Sequence, residues 1–146
     1  MTSERGWFAQ ALYVWCRDLH WWGLWLIGSF TGLVVTIWLS LRAPTPFLLD
    51  VSDKWQHGVG YAVLTLWFCG LVRRDRQWRV VLICAAYGVF MEILQGTLTT
   101  DRIADPYDAL ANASGALIAL TLAKLGLDRW AEGIEALGRR WWGGGR

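Results

Sequence analysis

The chain has 146 residues, of which 55% are hydrophobic and 12 are tryptophan. Water-soluble domains are about 45–50% apolar, so this composition argues against a soluble protein. The formal net charge is only +2, and an arginine-rich turn as short as Arg73–Arg79 offers no surface for nucleic acid, so we expect no nucleic-acid partner.

Four apolar segments approach the ~20 residues that a helix needs to cross a bilayer. They are His20–Leu41, Trp55–Val72, Trp78–Leu98 and Pro106–Leu127. Each is too long for a strand and lacks the alternation of apolar and polar residues found in the strands of a membrane barrel. Helices are therefore the structure that can satisfy the backbone hydrogen bonds in lipid. The sequence therefore predicts an all-α membrane protein with four transmembrane helices.

The predicted four-span domain covers residues 20–127, with amphipathic segments at 1–19 and 128–146. In both segments apolar residues recur at helical spacing and polar residues fall elsewhere. In the second segment Trp130 belongs to the apolar face and Glu135 to the polar face, and a flexible Gly-Gly-Gly tail follows. Such segments are typical of helices that lie in the membrane interface. We therefore expect an amphipathic interfacial helix at each end.

The 14 basic residues predict the orientation of the chain. If both termini are cytoplasmic, most basic residues lie in cytoplasmic segments, and Arg42, Lys54 and Arg102 are the exceptions. The positive-inside rule favours this arrangement. We therefore expect a multi-pass membrane protein with both termini in the cytoplasm.

Polar residues gather at one end of the last three predicted spans. Residues three or four apart are neighbours on a helix, so each span places its polar residues on one face. The topology brings the three faces to the outer side of the membrane. Ionisable groups within a span are costly, which makes them candidate functional residues. The groups are Asp53, His57 and Tyr61, then Glu92 and Gln95, then Asp105, Asp108, Asn112 and Gly115.

Of the candidate residues, Glu92 is the one for which a purely structural role is hardest to find. At a rise of ~1.5 Å per residue, Glu92 lies ~9 Å below Leu98, and Asn112 lies ~9 Å below Pro106. A lone carboxylate at that depth needs a partner or a raised pKa. Asn112 could have a purely structural role, as an amide that hydrogen-bonds across two helices. Alternatively, Glu92 and Asn112 could both lie at the base of a shallow cavity open to the outer leaflet.

Structural roles remain open for other candidates. Asp105 before Pro106 is typical of an N-cap followed by proline at the first helical position. Asp53 could equally stabilise the start of the second helix, and His57 could be a packed interfacial histidine. Arg102 could pair with a neighbouring aspartate or with a lipid phosphate.

Four sequence elements, D-K-x-x-H, E-x-x-Q, R and D-x-x-x-N-x-x-G, follow one another between Asp53 and Ala123. Together they resemble the VanZ-like family of small bacterial membrane proteins, named after a protein linked to resistance to the lipid-tailed glycopeptide teicoplanin. The chain departs from the family in Gly96–Asp101, which lacks the expected proline. The resemblance implies a fold, a bacterial cytoplasmic (inner) membrane location and a site, but no reaction. The implied site residues are Asp53, Lys54, His57, Glu92, Gln95, Arg102, Asp108 and Asn112.

One function that fits these residues is an enzyme acting on an outer-leaflet lipid or cell-envelope intermediate. Asp53 would orient His57 as a general base, and Glu92 would be a second acid or base. Lys54 and Arg102 would hold an anionic head group. The carboxylates and His57 could instead bind a divalent metal, and the sequence indicates no particular cofactor.

Two non-catalytic functions fit as well. The protein could bind a membrane lipid, a lipid-linked ligand or a lipid-tailed antibiotic, with Gln95, Asp108 and Asn112 among the ligand-binding residues. It could also be an accessory subunit that contacts a membrane protein partner, its polar residues only joining helices. The sequence favours a role with a lipid or a glycopeptide-related cell-envelope ligand and leaves catalysis undecided.

Overall fold

The computed structural model describes residues 16–41, 53–99 and 105–143. Within these ranges the chain is helical and forms no strand, which confirms the all-α prediction there. The predicted interfacial helix at residues 1–19 lies mostly outside them. The elements are α1 (Trp22–Leu41), α2 (Asp53–Leu71), α3 (Gln77–Leu98), α4 (Pro106–Lys124), a 3-10 turn (Leu127–Arg129) and α5 (Trp130–Gly143).

Among the described helices, α1 and α3 are long and apolar enough to cross a membrane. Helix α4 together with the bent segment Leu127–Trp141 gives a third span if that pair is counted as one. Helices α2 and α4 are less apolar because their first turns carry charged and amide side chains of the predicted site. The protein is thus a helical membrane protein, and its four spans stay a prediction.

Helix α4 ends at Lys124, before the predicted end of the span at Leu127. Gly126 follows with a φ of +113°, a left-handed conformation that glycine adopts without steric cost. The chain bends there by 82°. The helix thus ends before the apolar segment does, because the glycine sets the turn while the sequence stays apolar up to Leu127.

Helices α2 and α4 form the most extensive helix pair, because small residues line their crossing. A Cβ atom on Gly115 would overlap the carbonyl oxygen of Gly58. Ala116, Ala119 and Ala123 lie on the same side of α4 and are fully buried. This close crossing sets the polar first turns of α2 and α4 side by side.

A tryptophan cluster joins α1 to the rest of the bundle. The ring of Trp25 lies 6.1 Å from that of Trp67 and 5.4 Å from that of Trp130, edge-on in both cases. Gly28 makes room for this contact, since a Cβ there would lie 2.7 Å from the Trp67 ring. Trp130, predicted on the apolar face of an interfacial helix, is therefore half-buried in this cluster.

A buried ion-pair network lies at the bundle end where α2 finishes and α3 begins. Asp128 is fully buried and accepts hydrogen bonds from Arg17 and, at 2.8 Å to each oxygen, from Arg74. The Nε2 atom of Gln77 donates a fourth bond, of 2.9 Å. Hydrogen bonding from Arg74, more than offsetting burial, holds the pKa of Asp128 well below its usual range. We call these four residues the Asp128 network.

Glu135 of α5 makes a second buried anchor at this end. Its carboxylate accepts hydrogen bonds of 2.8 Å from the backbone N–H groups of His20 and Trp21 and from the indole of Trp25. Burial opposes ionisation of this carboxyl, but the three N–H donors hold its pKa below the usual value. Glu135, predicted on the polar face of an interfacial helix, thus fastens α5 to the start of α1.

Candidate functional site

The starts of α2 and α4 meet at the bundle end opposite the Asp128 network. The Nε2 atom of His57 lies 3.8 Å from a carboxylate oxygen of Asp53, one turn earlier on α2. It also lies 3.7 Å from Oδ2 of Asp108 on α4. The other ring nitrogen, Nδ1, lies 3.2 Å from Oδ1 of Asn112. The structure thus brings these predicted residues of two spans together, and we call the four residues with Lys54 and Glu92 the polar cluster.

Lys54 is the accessible cation of this cluster. Its Nζ lies 2.7 Å from Asp105 and 2.9 Å from Oδ1 of Asp108. Asp105 also caps α4, as predicted, by accepting a bond of 2.9 Å from the N–H of Tyr107. The bond from Lys54, followed by that from Tyr107, holds the pKa of Asp105 below its usual value. Half of the Lys54 side chain remains exposed and available to an anion.

Glu92 of α3 lies beside the start of α4 and is only 7% exposed. Its Oε1 accepts a hydrogen bond of 2.6 Å from the backbone N–H of Asp105. Its Oε2 is buried and has no hydrogen-bond partner among the described residues. A buried carboxylate oxygen has lost its hydration, so an unpartnered one indicates a place for a ligand, an ion or water.

Tyr61 of α2 and Gly88 of α3 pack against Asn112. A Cβ atom on Gly88 would lie 2.9 Å from the Cβ of Asn112 and 3.2 Å from the Tyr61 ring, so glycine leaves the space that the amide needs. The phenol oxygen of Tyr61 is buried without a partner in the described part of the chain. The sequence placed Tyr61 on the polar face of α2 but missed Gly88, although Gly88 lies one helical turn before Glu92.

One predicted site residue lies away from the cluster, and another falls outside the described part of the chain. The side chain of Gln95 is buried, and its Nε2 donates a bond of 2.8 Å to the carbonyl of Ser40 at the end of α1. This bond ties α3 to α1, and a part for Gln95 in ligand binding stays a prediction. Arg102 lies outside the described residues.

The cluster offers donors of the type that divalent cations use. Asp53, His57 and Asp108 each present one such atom, and the three atoms lie within 4.8 Å of one another. Two carboxylates and an imidazole are plausible metal ligands. Chemically, the cluster can hold a cation or a proton between these groups and an anion at Lys54.

A comparison with known protein families assigns the chain to one of them. A family model described as VanZ/LLP1 matches residues 36–127, more than half of the sequence and all of α2, α3 and α4. No curated protein and no solved structure gave a match. The chain therefore belongs to the VanZ/LLP1 family, and the predicted resemblance to this family is confirmed.

Proposed function

We propose that this VanZ/LLP1 family member binds a lipid, or a lipid-linked or glycopeptide-related cell-envelope ligand, at its polar cluster. The observation that carries the proposal is Glu92, a carboxylate buried between helices with one oxygen unpartnered among the described residues. Ionisable groups within membrane spans are expensive and mark functional sites by default. A ligand that fills the space beside Glu92 would offset that cost.

The basic residues support an orientation with the cluster facing outward. The bundle end opposite the cluster carries Arg17, Arg73, Arg74 and Arg76, and Lys124 lies at the same end of α4. The positive-inside rule puts such an end in the cytoplasm. In a bacterial inner membrane, the ligand would then reach the cluster from the outer leaflet.

The surroundings of Lys54 suit a ligand that joins an anionic head group to an apolar tail. The ammonium can pair with a phosphate or carboxylate oxygen. Exposed apolar side chains flank it near the starts of both helices, Trp55 and Val59 on α2 and Tyr107 and Leu110 on α4. A tail could lie along these side chains while the head group meets Lys54.

The contacts of His57 favour binding over the predicted enzymatic role. The hydrogen-bond and ion-pair contacts of the imidazole among the described residues are with Asp53, Asp108 and Asn112, and none of these groups is a hydroxyl or a thiol. A general base must reach the proton that it removes. Chemistry at this cluster would therefore need water or the ligand itself as the nucleophile.

Native mass spectrometry of the full chain, extracted from its own membrane in mild detergent, tests the proposal. We expect a lipid-sized adduct on the wild type that is lost in Glu92→Gln, which keeps the side-chain volume. Asp75→Asn is the matched control, because Asp75 is an exposed carboxylate at the opposite end. An adduct held equally by Glu92→Gln, or missing from the wild type, would contradict the proposal.

The surface of α1 favours a second candidate, an accessory subunit of a membrane protein complex. Trp25 is the buried residue of this helix, whereas Leu24, Ile27 and Phe30 each expose more than 60% of their surface. Lipid or a partner helix could cover them. A stoichiometric partner that stays with both wild type and Glu92→Gln would support this role, and a strictly monomeric protein would count against it.

A further inference from the structure

Three ligand-type atoms face one another in the polar cluster. The Nε2 atom of His57 is 3.8 Å from Asp53 and 3.7 Å from Oδ2 of Asp108, beyond the ~3.2 Å of a normal N–H···O bond. The Nδ1 atom is 3.2 Å from the amide oxygen of the buried Asn112. When Nδ1 donates a hydrogen bond to that oxygen, Nε2 is the ring nitrogen that can act as a ligand beside the carboxylates.

Two carboxylates and an imidazole nitrogen that converge on one point can share a cation between them. Lys54 does not fill that position, because its Nζ bonds Oδ1 of Asp108 and the carboxylate of Asp105. The Oδ2 atom of Asp108, a buried residue, is left facing His57. Lys54 therefore leaves the point where the three atoms converge open to a metal ion.

We propose that Asp53, His57 and Asp108 bind one divalent transition-metal ion, Zn²⁺ or Mn²⁺. Ligand atoms of a tetrahedral site with ~2.1 Å bonds lie ~3.4 Å apart, and these three atoms already lie within 4.8 Å of one another. Mixed imidazole and carboxylate ligands suit these two ions. Asn112 is the outer partner that fixes the tautomer and ring orientation of the ligating histidine.

Three protein ligands leave coordination positions open on the ion. In a step that rests on the proposed function, these positions take a phosphate oxygen of the lipid-linked ligand, and Lys54 holds a second oxygen. The ligand class is thereby a phosphate-bearing lipid rather than a neutral one.

Isothermal titration calorimetry with ZnCl₂ and MnCl₂ on the chelator-treated full chain in detergent tests the metal site. We expect saturable binding of one ion per chain in the wild type and no saturable binding in His57→Gln or Asp108→Asn. Asn112→Ala should weaken binding by about 10–100-fold. Asp75→Asn, the carboxylate control at the opposite end, should bind like the wild type.

Cobalt substitution in the wild type avoids any doubt about the folding of variants. We expect Co²⁺ to give visible d–d absorption that Zn²⁺ abolishes by displacing it. Absence of saturable binding to the wild type, or equal affinity in Asp108→Asn and Asp75→Asn, would overturn the metal site.

The two proposals fail in different ways. A lipid adduct that persists on the metal-free wild type, together with no saturable metal binding, would overturn the metal site and leave the proposed function standing. Saturable metal binding to a wild type that carries no lipid adduct would overturn the proposed function and support the metal site.

Discussion

The two polar regions of the bundle differ in how completely their carboxylates are paired. Both oxygens of Asp128 accept hydrogen bonds from charged or amide donors. In the polar cluster, Glu92 keeps an oxygen that no described residue bonds, and His57 faces two carboxylates at more than hydrogen-bond distance. Satisfied polar networks rigidify a fold, whereas partly satisfied ones are costly. The first region therefore serves folding, and the second is where we expect a ligand.

Removing the charge of Asp128 should have the largest effect. Asp128→Asn leaves Arg17, whose side chain is 11% exposed, without its buried partner. Breaking a buried pair in this way costs about 3–5 kcal/mol. Asp108→Asn should cost about 1 kcal/mol or less, because the Lys54 partner is half exposed. Unfolding in detergent measures the loss of stability in both variants. Equal losses would contradict the difference between the two polar regions.

The α2–α4 crossing offers a further test of the difference between the two polar regions, because it positions the polar cluster. Gly115→Ala places a methyl group against the backbone of Gly58, and overpacking of this kind costs about 1–3 kcal/mol. We also expect weaker ligand retention, since Asp108 and Asn112 must shift away from His57. Gly60→Ala is the control, because a Cβ there meets nothing within 4 Å. Equal stability of the two variants would mean that the crossing tolerates a side chain.

Acidification should weaken the Asp128 network. The folded-state pKa of Asp128 is lowered, first by its bonds from Arg74. Its stabilising contribution is therefore fully present above the unfolded-state pKa of ~3.9 and is lost as pH falls through the lower folded-state value. We expect unfolding free energy to fall below about pH 4, and less steeply in Asp128→Asn. Parallel pH profiles of wild type and variant would exclude this role.

The smallest effect on stability is expected for Glu92→Gln. The amide oxygen of glutamine can still accept the bond from Asp105, and the change removes a buried charge that has an unpartnered oxygen. We expect the free energy of unfolding to stay within about 1 kcal/mol of the wild type, while the lipid adduct is lost. A loss as large as that of Asp128→Asn would move Glu92 to the structural side of the comparison.

The positions of the helices and the main pairs of site residues could be predicted from local sequence patterns. The apolar run from Trp78 matches α3, and the Asp105 cap was predicted from the proline that follows it. The spacing of Asp53 and His57 predicted that they share one face of α2, and both belong to the polar cluster. Helix α4 ends before the apolar segment does, because a single left-handed glycine outweighs the hydropathy of its neighbours.

The sequence by itself determined the membrane class, the helices, the family and most of the polar cluster, because hydropathy, helical spacing and motifs depend on residues close in the chain. Only the tertiary structure decided which buried carboxylates are paired. Arg17 and Asp128 are 111 positions apart, and the bond from Gln95 to Ser40 spans 55. Such partners meet through helix packing, which no local pattern encodes, and so the full pairing of Asp128 and the open oxygen of Glu92 emerged from the fold alone.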